Sequence, residues 1–277
     1  MYYNFGLIGF PLSHTLSPII HNYFIYNNNL NGGYNCFEIN DVKKLGDLIK
    51  FLNNYKFSGL NITLPYKEEI KKYVDEFSED ALKIGSINTL SIKQNCIKGY
   101  NTDTFGFKEM LRYNRISLTN RTVVLLGSGG AARSALSIIL EENPRCVYIV
   151  CRNTLKGDVL LKDLKTDHAK NIAIKDMSIL KKTLECDVII NATSAGIIDS
   201  FNIDLGSVHV NYCAIDLQYS LNGFTYFLHN LEKQKIILLD GLDMLIFQAL
   251  RSFEIWTGKN ISININVIKN KLKRTIE

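Results

Sequence analysis

Short apolar runs alternate with amphipathic stretches along the first hundred residues. The runs FGLIGF and YNCFEI are typical of buried strands, and DVKKLGDLIKFLNNY is typical of an amphipathic helix. SPIIHNYFIYNN predicts another helix, with Ser17 as its N-cap and Pro18 at its first position. Strands that alternate with helices in this way indicate βαβ units and a mainly parallel sheet.

The stretch GLNITLPYKEEI predicts a strand that runs through a proline into a further helix. The apolar residues that follow at helical spacing, and predict its buried face, are Ile70, Tyr73, Val74 and Phe77. Lys67 falls in the first turn of this helix, where the positive end of the helix dipole disfavours a cation. Taken alone, Lys67 is more readily explained as a surface charge than as a catalytic group. Downstream, INTLSI and CIKGYN predict a pair of strands.

A second run of alternating elements begins near residue 104. TVVLLGSGGAARSALSIILEEN has the pattern of a strand, a glycine turn and a helix. The strand-like runs CVYIVCR, NIAIK, DVIINAT and YCAIDL follow, with helical segments between several of them. After KIILLDGL, helices are predicted in DMLIFQALRSFEIWTG and at about residues 262–275. The pattern predicts an α/β protein made of two domains.

Composition excludes several classes of protein. The chain of 277 residues is 46% apolar and 21% charged, which is typical of a globular rather than a disordered protein. Its six cysteines are scattered, without a C-x-x-C pair, so we expect free thiols and no disulfide or metal framework. No apolar run approaches the about 18 residues of a membrane span, and the N-terminus lacks the cationic flank of a signal peptide. We therefore expect a cytoplasmic protein without a membrane partner.

The charge pattern favours small ligands over nucleic acid. The net charge of +5 and pI near 8.7 are a mild excess that favours anionic small molecules. The basic cluster KNKLKR, residues 269–274, is typical of cations that close the last turn of a helix. No aromatic residues interleave with basic ones in the pattern of a nucleic-acid-binding surface.

The glycine turn predicts a dinucleotide site. Gly127, Gly129 and Ala132 match G-x-G-x-x-[GA] between a strand and a helix, where the turn brings phosphates to a helix N-terminus. The next strand ends with Arg152 and Lys156 and has no acidic residue before Asp158. A guanidinium and an ammonium suit a 2′-phosphate, which favours NADP over NAD. The alternatives are a glycine turn that serves only packing and an arginine that is a solvated strand-end charge.

Polar clusters stand at predicted strand ends in the first hundred residues. They are SHTLSP, NITLPYK, SINTL and YNTDTFG. Each has an ordinary structural explanation, and Asp103 in particular is equally well explained as the N-cap of the helix that follows. Together they place hydroxyls, amides, a lysine and an aspartate where open α/β sheets bind ligands. This set suits a small, polyhydroxylated, anionic substrate.

The order of these motifs resembles the shikimate dehydrogenase family along nearly the whole chain. GFPLSHTLSPIIHN resembles the family's opening signature, and NITLPYK resembles its Asn-Val-Thr-x-Pro-x-Lys. IGSINTL, GYNTDTFG and GSGGAARS resemble its next three motifs, and NATSAG, DLQY and DGLDMLIFQALRSFEIWTG follow in the family's order. The resemblance implies a substrate domain of residues 1–103 and 241–277, to which the C-terminal helices return. It implies a Rossmann-type NADP-binding domain of residues 104–240.

The resemblance also implies roles for individual residues. Lys67 and Asp103 become the catalytic pair, and Thr15 and Ser17 bind the substrate carboxylate. The residues that hold ring hydroxyls and carboxylate are Thr63, Lys67, Asn88, Asp103, Tyr219 and Gln248. The residues that line the cofactor site are Gly127, Ser128, Gly129, Gly130, Ala131, Cys151, Arg152, Asn153, Thr154, Lys156, Leu217, Gly241 and Glu79. No metal is implied.

The implied activity is the reversible reduction of 3-dehydroshikimate to shikimate by NADPH, in aromatic amino acid biosynthesis, by a monomer or homodimer. The alternatives are a quinate/shikimate dehydrogenase of broader specificity, a non-catalytic NADP-binding paralogue and a methylenetetrahydrofolate dehydrogenase. The chain departs from the family's pattern at four positions. Thr15 replaces a serine, Cys151 an asparagine and Leu221 a proline, and Asp243 stands where the family has a small residue or proline.

Overall fold

The structure is a computed structural model, and it describes residues 2–164, 171–194 and 203–274. The chain divides into two compact units, one of residues 1–106 and 245–277 and one of residues 107–244. Within the described residues, each unit contains one six-stranded sheet. The last two residues of the NATSAG motif and the end of the predicted last helix lie outside the described residues.

The strands, in chain order, are β1 (Tyr2–Gly9), β2 (Asn31–Glu38), β3 (Gly59–Ile62), β4 (Glu76–Phe77), β5 (Thr89–Lys93), β6 (Cys96–Tyr100), β7 (Thr122–Leu126), β8 (Cys146–Val150), β9 (Ile172–Lys175), β10 (Leu184–Asn191), β11 (Val208–Asp216) and β12 (Ile237–Leu239). The α-helices are α1 (Ser17–Asn27), α2 (Leu45–Asn54), α3 (Glu79–Ile84), α4 (Asp103–Tyr113), α5 (Gly130–Glu141), α6 (Thr154–Asp163), α7 (Tyr226–His229), α8 (Leu242–Thr257) and α9 (Ile265–Arg274).

The first sheet has the order β2-β1-β3-β5-β6-β4. β1 pairs in parallel with β2 and β3, and β4 pairs in parallel with β6, whereas β5 runs antiparallel to β3 and β6. The prediction of a mainly parallel sheet with one further strand pair is therefore confirmed. Asn61 lies opposite Thr89, and Thr89 lies opposite Tyr100. This register brings the end of β3, the start of β5 and the end of β6 together.

The helix predicted around Lys67 is wrong. Lys67 lies in a turn, and only Glu69–Tyr73 are helical, as a 3₁₀ helix. The chain is extended at Val74 and then forms β4, because it must pair with β6 at the sheet edge. Ile70 is fully buried, and Tyr73, Val74 and Phe77 pack against the same core. The apolar spacing thus does mark an inward face, which a tight helical turn and a short strand provide in place of an α-helix.

The predicted N-cap of the first helix is also wrong. α1 begins at Ser17, so its N-cap is Leu16, which makes no side-chain capping bond. The Ser17 side chain is buried, and its backbone N–H donates to Thr15 Oγ1 at 3.4 Å. The hydroxyl that serves this helix end therefore belongs to Thr15, two residues earlier than the motif suggests.

The second sheet has the order β12-β11-β10-β7-β8-β9, and every pairing in it is parallel. Counted from β7, this is the order 3-2-1-4-5-6 of the Rossmann fold. The strands are short and rich in β-branched residues because both faces are covered, and Val123, Val124, Leu125 and Leu126 of the central β7 are all fully buried. The strand order reverses between β7 and β10, where such sheets bind ligands at the carboxyl ends of their strands.

Three predictions from composition have structural outcomes. All six cysteines are free thiols, as expected. Lys271, Lys273 and Arg274 lie in the last turn of α9, which confirms the helix-end explanation of the basic cluster. Among the described residues, no helix combines the length and apolar character needed to cross a membrane.

Candidate active site

Lys67 and Asp103 form an ion pair in the first unit. Lys67 Nζ lies 2.6 Å from Asp103 Oδ2, and the two side chains are 20% and 7% exposed. Lys67 lies in the turn that follows β3, and Asp103 is the first residue of α4. The parallel register of β1 and β3 and the β5–β6 hairpin bring these two segments together from 36 residues apart.

Asn88 holds the second oxygen of the Asp103 carboxylate. Its Nδ2 donates to Asp103 Oδ1 at 2.8 Å, while its Oδ1 accepts from the backbone N–H of Thr102 at 2.7 Å. Because a backbone N–H can only donate, this bond fixes which end of the amide faces Asp103. The Asp103 carboxylate is thus oriented from two sides, by an amine and an amide.

The alternative role of Asp103 as a helix cap is not what the structure shows. Both of its carboxylate oxygens are engaged by Lys67 and Asn88. Asn101 Oδ1 accepts from the backbone N–H of Thr104 at 3.2 Å, which serves the first turn of α4. A neighbouring asparagine therefore takes the capping role, and Asp103 is available to the site.

Gln248 completes the group in the first unit. Its Oε1 lies 3.4 Å from Asn88 Nδ2 and 3.4 Å from Thr102 Oγ1, and its Nε2 donates to the carbonyl of Leu245 at 3.0 Å. Both contacts of Oε1 are long and therefore weak, so this oxygen can accept a shorter hydrogen bond from another donor. Of the substrate residues expected from sequence, the structure thus brings Lys67, Asn88, Asp103 and Gln248 together.

The remaining substrate residues have less complete geometry. Thr63 follows β3, and its backbone N–H donates to the carbonyl of Ile8 at 2.9 Å. A Cβ on Gly9 would lie 2.3 Å from Thr63 Cγ2, so the threonine packs tightly on the end of β1, where the loop to Thr15 and Ser17 begins. Tyr219 is partly buried and belongs to the second unit.

The first unit therefore places an amine and a carboxylate among hydroxyl and amide groups. The Lys67 amine is partly exposed, so it is within reach of solvent and of a small molecule. The buried Asp103 carboxylate holds that amine in place through a charge-assisted hydrogen bond. Threonine hydroxyls and amide groups around the pair match the hydroxyls of a polar substrate.

The glycine turn of the second unit fits a dinucleotide phosphate. Gly127 has φ +113°, and a Cβ there would lie 2.9 Å from the carbonyl oxygen of Ala192. Gly129 is the N-cap of α5, and a Cβ there would meet no atom of the described residues within 4 Å. The first glycine is thus required by the fold, while the second leaves open space at a helix N-terminus, which favours an anion.

The end of β8 supplies cations and a capped helix. Asn153 Oδ1 accepts from the backbone N–H groups of Leu155 and Lys156 and caps α6, while the side chains of Arg152 and Lys156 are exposed. The buried Cys151 thiol contacts the carbonyl of Asn153 at 3.3 Å, and burial raises the pKa of the thiol. The residue that departs from the family's asparagine therefore packs inward.

Other expected cofactor residues lie at four places. Gly241 packs against Leu217, because a Cβ on Gly241 would lie 2.2 Å from Leu217 O. The Gly241 N–H also donates to the carbonyl of Gln218 at 2.7 Å. Ser128, Gly130 and Ala131 lie on the glycine turn and the start of α5. Thr154 begins α6, and the exposed Glu79 begins α3 in the first unit.

A buried carboxylate near the ends of β10 and β11 was missed from sequence. Asp216 accepts hydrogen bonds from Asn191 Nδ2 at 2.9 Å, the Gln218 N–H at 3.0 Å and Thr225 Oγ1 at 2.6 Å. Burial raises the pKa of Asp216 to about 6, against the opposing effect of these bonds. The network ties together the loops that follow β10 and β11. The sequence signal for this network is the pair of polar segments NAT (191–193) and DLQ (216–218), which stand at the ends of β10 and β11.

The departure at Asp243 also has a structural partner. Asp243 is buried in the first turn of α8, and its Oδ2 accepts from Asn114 Nδ2 at 3.0 Å. The aspartate thus links α8 to the residue that follows α4. A small residue or proline at this position cannot make that bond.

The strand order, the glycine turn and the Lys–Asp pair define an α/β protein with a Rossmann dinucleotide-binding unit. Family models match three parts of the chain: the shikimate dehydrogenase substrate binding domain at residues 7–90, shikimate / quinate 5-dehydrogenase at 109–200, and the shikimate 5′-dehydrogenase C-terminal domain at 241–265. The shikimate dehydrogenase (NADP(+)) of Methanococcus maripaludis is 33% identical over 274 residues, which cover 97% of each chain. This chain belongs to the shikimate dehydrogenase family.

Solved structures agree with this assignment. Shikimate dehydrogenase 1 from Peptoclostridium difficile is 33% identical and has a TM-score of 0.84, with 98% of each chain covered. The shikimate 5-dehydrogenase of Thermus thermophilus in complex with NADP(H) and shikimate is 25% identical and has a TM-score of 0.83, with 98% of this chain and 99% of that chain covered. The family and the α/β fold with two domains, as predicted from sequence, are confirmed.

Proposed function

We propose that this chain is an NADP-dependent shikimate dehydrogenase, which reversibly reduces 3-dehydroshikimate to shikimate for aromatic amino acid biosynthesis. The observation that carries the proposal is the Lys67–Asp103 pair, with 2.6 Å between amine and carboxylate, oriented by Asn88. Membership of a family whose curated members act with NADP supports both the reaction and the cofactor.

The reaction divides between the cofactor and the chain's own residues. When bound, NADPH would supply the hydride, with both electrons, that the ketone carbon of the substrate accepts. The negative charge that develops on the ketone oxygen takes a proton from the Lys67 amine, and the ammonium's charge stabilises that oxygen before transfer. Asp103 holds the amine in reach of the oxygen, and solvent then restores the proton to Lys67. In the oxidative direction the neutral amine accepts the proton.

The polar groups around the pair bind the substrate. The hydroxyls of Thr15 and Ser17 bind its carboxylate, and the side chains of Thr63, Asn88, Asp103 and Gln248 hold its ring hydroxyls and carboxylate. Amide and hydroxyl groups suit this role because each can both donate and accept.

The second unit binds the cofactor. The open space at Gly129 and the start of α5 receives the pyrophosphate, and Arg152 and Lys156 favour a 2′-phosphate. Asn153, Thr154, Leu217 and Gly241 line the same site in this proposal. The other residues of the second unit in the proposed cofactor site are Gly127, Ser128, Gly130, Ala131 and Cys151.

Shikimate-dependent reduction of NADP, followed by absorbance at 340 nm, tests the proposal. The purified chain is expected to reduce NADP in the presence of shikimate and to consume NADPH in the presence of 3-dehydroshikimate. A chain that binds NADP but shows neither reaction would instead be the non-catalytic paralogue, which has no need for the Lys67–Asp103 pair.

A broader specificity that includes quinate is the second candidate. It is favoured by the match of residues 109–200 to a family model that covers both shikimate and quinate dehydrogenases. Comparison of kcat/KM for the two substrates with NADP separates the candidates. A strict shikimate dehydrogenase shows no measurable turnover of quinate.

We also propose that the protein acts in the cytoplasm as a monomer or a homodimer. Six free thiols are consistent with a reducing compartment. Light scattering of the purified chain over a range of concentrations distinguishes the two states of assembly.

A further inference from the structure

A buried net of hydroxyls and amides lies within the first unit and centres on Ser252 of α8. Ser252 is 0% exposed. Its Oγ lies 3.0 Å from Asn61 Nδ2, 2.8 Å from Thr89 Oγ1 and 3.1 Å from Thr102 Oγ1. It also donates to the carbonyl oxygen of Gln248 at 3.0 Å. Through Ser252, α8 is therefore joined to β3, β5 and the segment before α4.

The net continues to the catalytic pair through Asn88. Thr89 Oγ1 donates to Asn88 Oδ1 at 3.0 Å, and Asn88 Nδ2 donates to Thr102 Oγ1 at 2.9 Å. The same Asn88 nitrogen donates to Asp103 Oδ1, and the other oxygen of Asp103 pairs with Lys67. Because the Ser252 hydrogen goes to the Gln248 carbonyl, Thr102 donates to Ser252. Hydrogen bonds therefore run from Ser252 through Thr102, Asn88 and Asp103 to the Lys67 amine.

The net allows few alternative arrangements. Tyr34 Oη donates to Asn61 Oδ1 at 2.8 Å, so the donor end of the Asn61 amide faces Ser252. Amide nitrogens only donate, and each hydroxyl has one hydrogen to pass on. Because Ser252, Thr89 and Thr102 are all buried, no bulk water replaces a lost partner. Loss of one hydroxyl therefore changes the rotamers of its neighbours.

We propose that Ser252 is a positioning residue for the reaction. Its Oγ accepts from Thr102 Oγ1 and fixes the rotamer in which Thr102 accepts from the Asn88 amide, and Asn88 in turn orients the Asp103 carboxylate. The inference rests on the proposed function, since it concerns the reaction of Lys67 and Asp103. Ser252 itself acts through its neighbours, so its contribution appears in turnover rather than in cofactor binding.

Thr257 offers a matched control on the same helix. Its Oγ1 donates to the carbonyl of Phe253 at 2.7 Å, as Ser252 Oγ does to the carbonyl four residues before it, and it accepts from the Lys259 N–H at 3.3 Å. Thr257→Val therefore removes the same kind of helix bond outside the net. Comparison with Ser252→Ala separates an effect on the helix from an effect on the site.

The test compares steady-state kinetics of the full chain and its variants with shikimate and NADP. Ser252→Ala is expected to lower kcat about tenfold, because small misplacements of reacting groups have effects of this order. KM for NADP stays within about twofold. Tm falls somewhat further than in Thr257→Val, because the partners of Ser252 are buried and lose a hydrogen bond. Ser252→Cys, which keeps a weak donor in a similar volume, restores part of the turnover and carries the comparison if Ser252→Ala does not fold. A Ser252→Ala or Ser252→Cys variant with the kcat of Thr257→Val would overturn the proposal.

A double-mutant cycle tests the route through Asn88. In an Asn88→Ala background, Ser252→Ala is expected to lower kcat no further, because its effect passes through the missing amide. A second tenfold loss in that background contradicts a positioning role. A wild-type chain without shikimate-dependent turnover contradicts the proposed function, and the positioning role falls with it. An active wild type with an unaffected Ser252→Ala contradicts only the positioning role.

Discussion

Lys67 and His21 are two ionisable side chains that the first unit places in opposite surroundings. The Lys67 amine is partly exposed and paired with a carboxylate, which suits a group that exchanges protons. His21 is 0% exposed, and its ring stacks on Tyr34 with 4.3 Å between centroids and 4° between planes. Burial lowers the pKa of His21 to about 3, against a side-chain interaction with Asn61. The surroundings of Lys67 fit the proposed chemistry, whereas those of His21 fit packing as a neutral ring.

Replacement of Lys67 by alanine tests the proton-transfer role. Lys67→Ala is expected to lower kcat by roughly 10²- to 10⁴-fold, because the oxygen of the substrate loses its proton donor. The Kd for NADPH, from fluorescence titration, stays the same. Lys72→Ala is the matched control, since Lys72 is an exposed lysine of the same segment that pairs with Glu69. Near-wild-type turnover in Lys67→Ala would remove Lys67 from the mechanism.

His21 is expected to make the protein less stable in acid. Its pKa is about 3 in the fold and about 6.5 in the unfolded chain, so protons bind more tightly to the unfolded chain. The stability from its neutral form is complete above pH 6.5 and is lost as pH falls toward 3, by up to about 5 kcal/mol. Urea unfolding of wild type and His21→Phe at a series of pH values measures this. Parallel curves for the two proteins between pH 6.5 and 4 would show that His21 does not contribute.

At the scale of elements, the turn between β7 and α5 separates the needs of the fold from those of the ligand. Gly127 has a positive φ and packs against the carbonyl of Ala192, so a side chain there strains the backbone. Within the described part of the chain, no atom lies within 4 Å of a Cβ built on Gly129, and its φ of −87° is one that any residue adopts. A glycine that the fold does not require is best explained by the approach of a phosphate to the backbone.

Alanine at these two positions is expected to have opposite effects. Gly127→Ala lowers Tm through backbone strain of roughly 1–3 kcal/mol. Gly129→Ala leaves Tm within about 2 °C of wild type but weakens NADP binding by tenfold or more, because the new methyl group occupies the space of the phosphate. Thermal melts and NADP titrations of both variants give the comparison. Unchanged NADP affinity in a folded Gly129→Ala would support the alternative that the turn serves only packing.

At the scale of the whole molecule, the two units have different chemistry. The first contains the Lys67–Asp103 pair and the hydroxyl net, and the second contains the glycine turn and the cations after β8. We propose that the first unit binds the substrate and the second binds NADP. Each unit has its own sheet and its own buried core. Substitutions in each are therefore expected to affect one ligand.

Two variants test this division. Arg152→Ala is expected to raise KM for NADP about tenfold, with little change for NAD or shikimate, because it removes a cation from the 2′-phosphate. Asn88→Ala is expected to raise KM for shikimate and lower kcat, while KM for NADP stays within about twofold. Initial rates with each substrate varied in turn measure all four constants. Equal effects of Arg152→Ala on NADP and NAD would contradict the proposed role of the guanidinium.

The sequence by itself determined the class of fold and the family. Gly127 was recognisable because only glycine adopts its backbone conformation without strain, and β7 because a strand covered on both faces needs a continuous apolar run. The order of the motifs, two of which contain Lys67 and Asp103, was enough to indicate the family. Such signals are local, so the sequence carries them without help from tertiary contacts.

Only the tertiary structure decided which residues that are distant in the chain contact each other, and which of them cap helices or pair as strands. The segment after Lys67 has helical spacing, yet pairing of β4 with β6 extends it, since a sheet edge competes with local helix preference. Asn101 rather than Asp103 serves the start of α4, because Lys67 and Asn88 engage the aspartate. Ser252 lies 191 residues from Asn61 along the chain and 3.0 Å from it in the fold. Contacts at such separation depend on how α8 packs against the sheet, which no local pattern specifies.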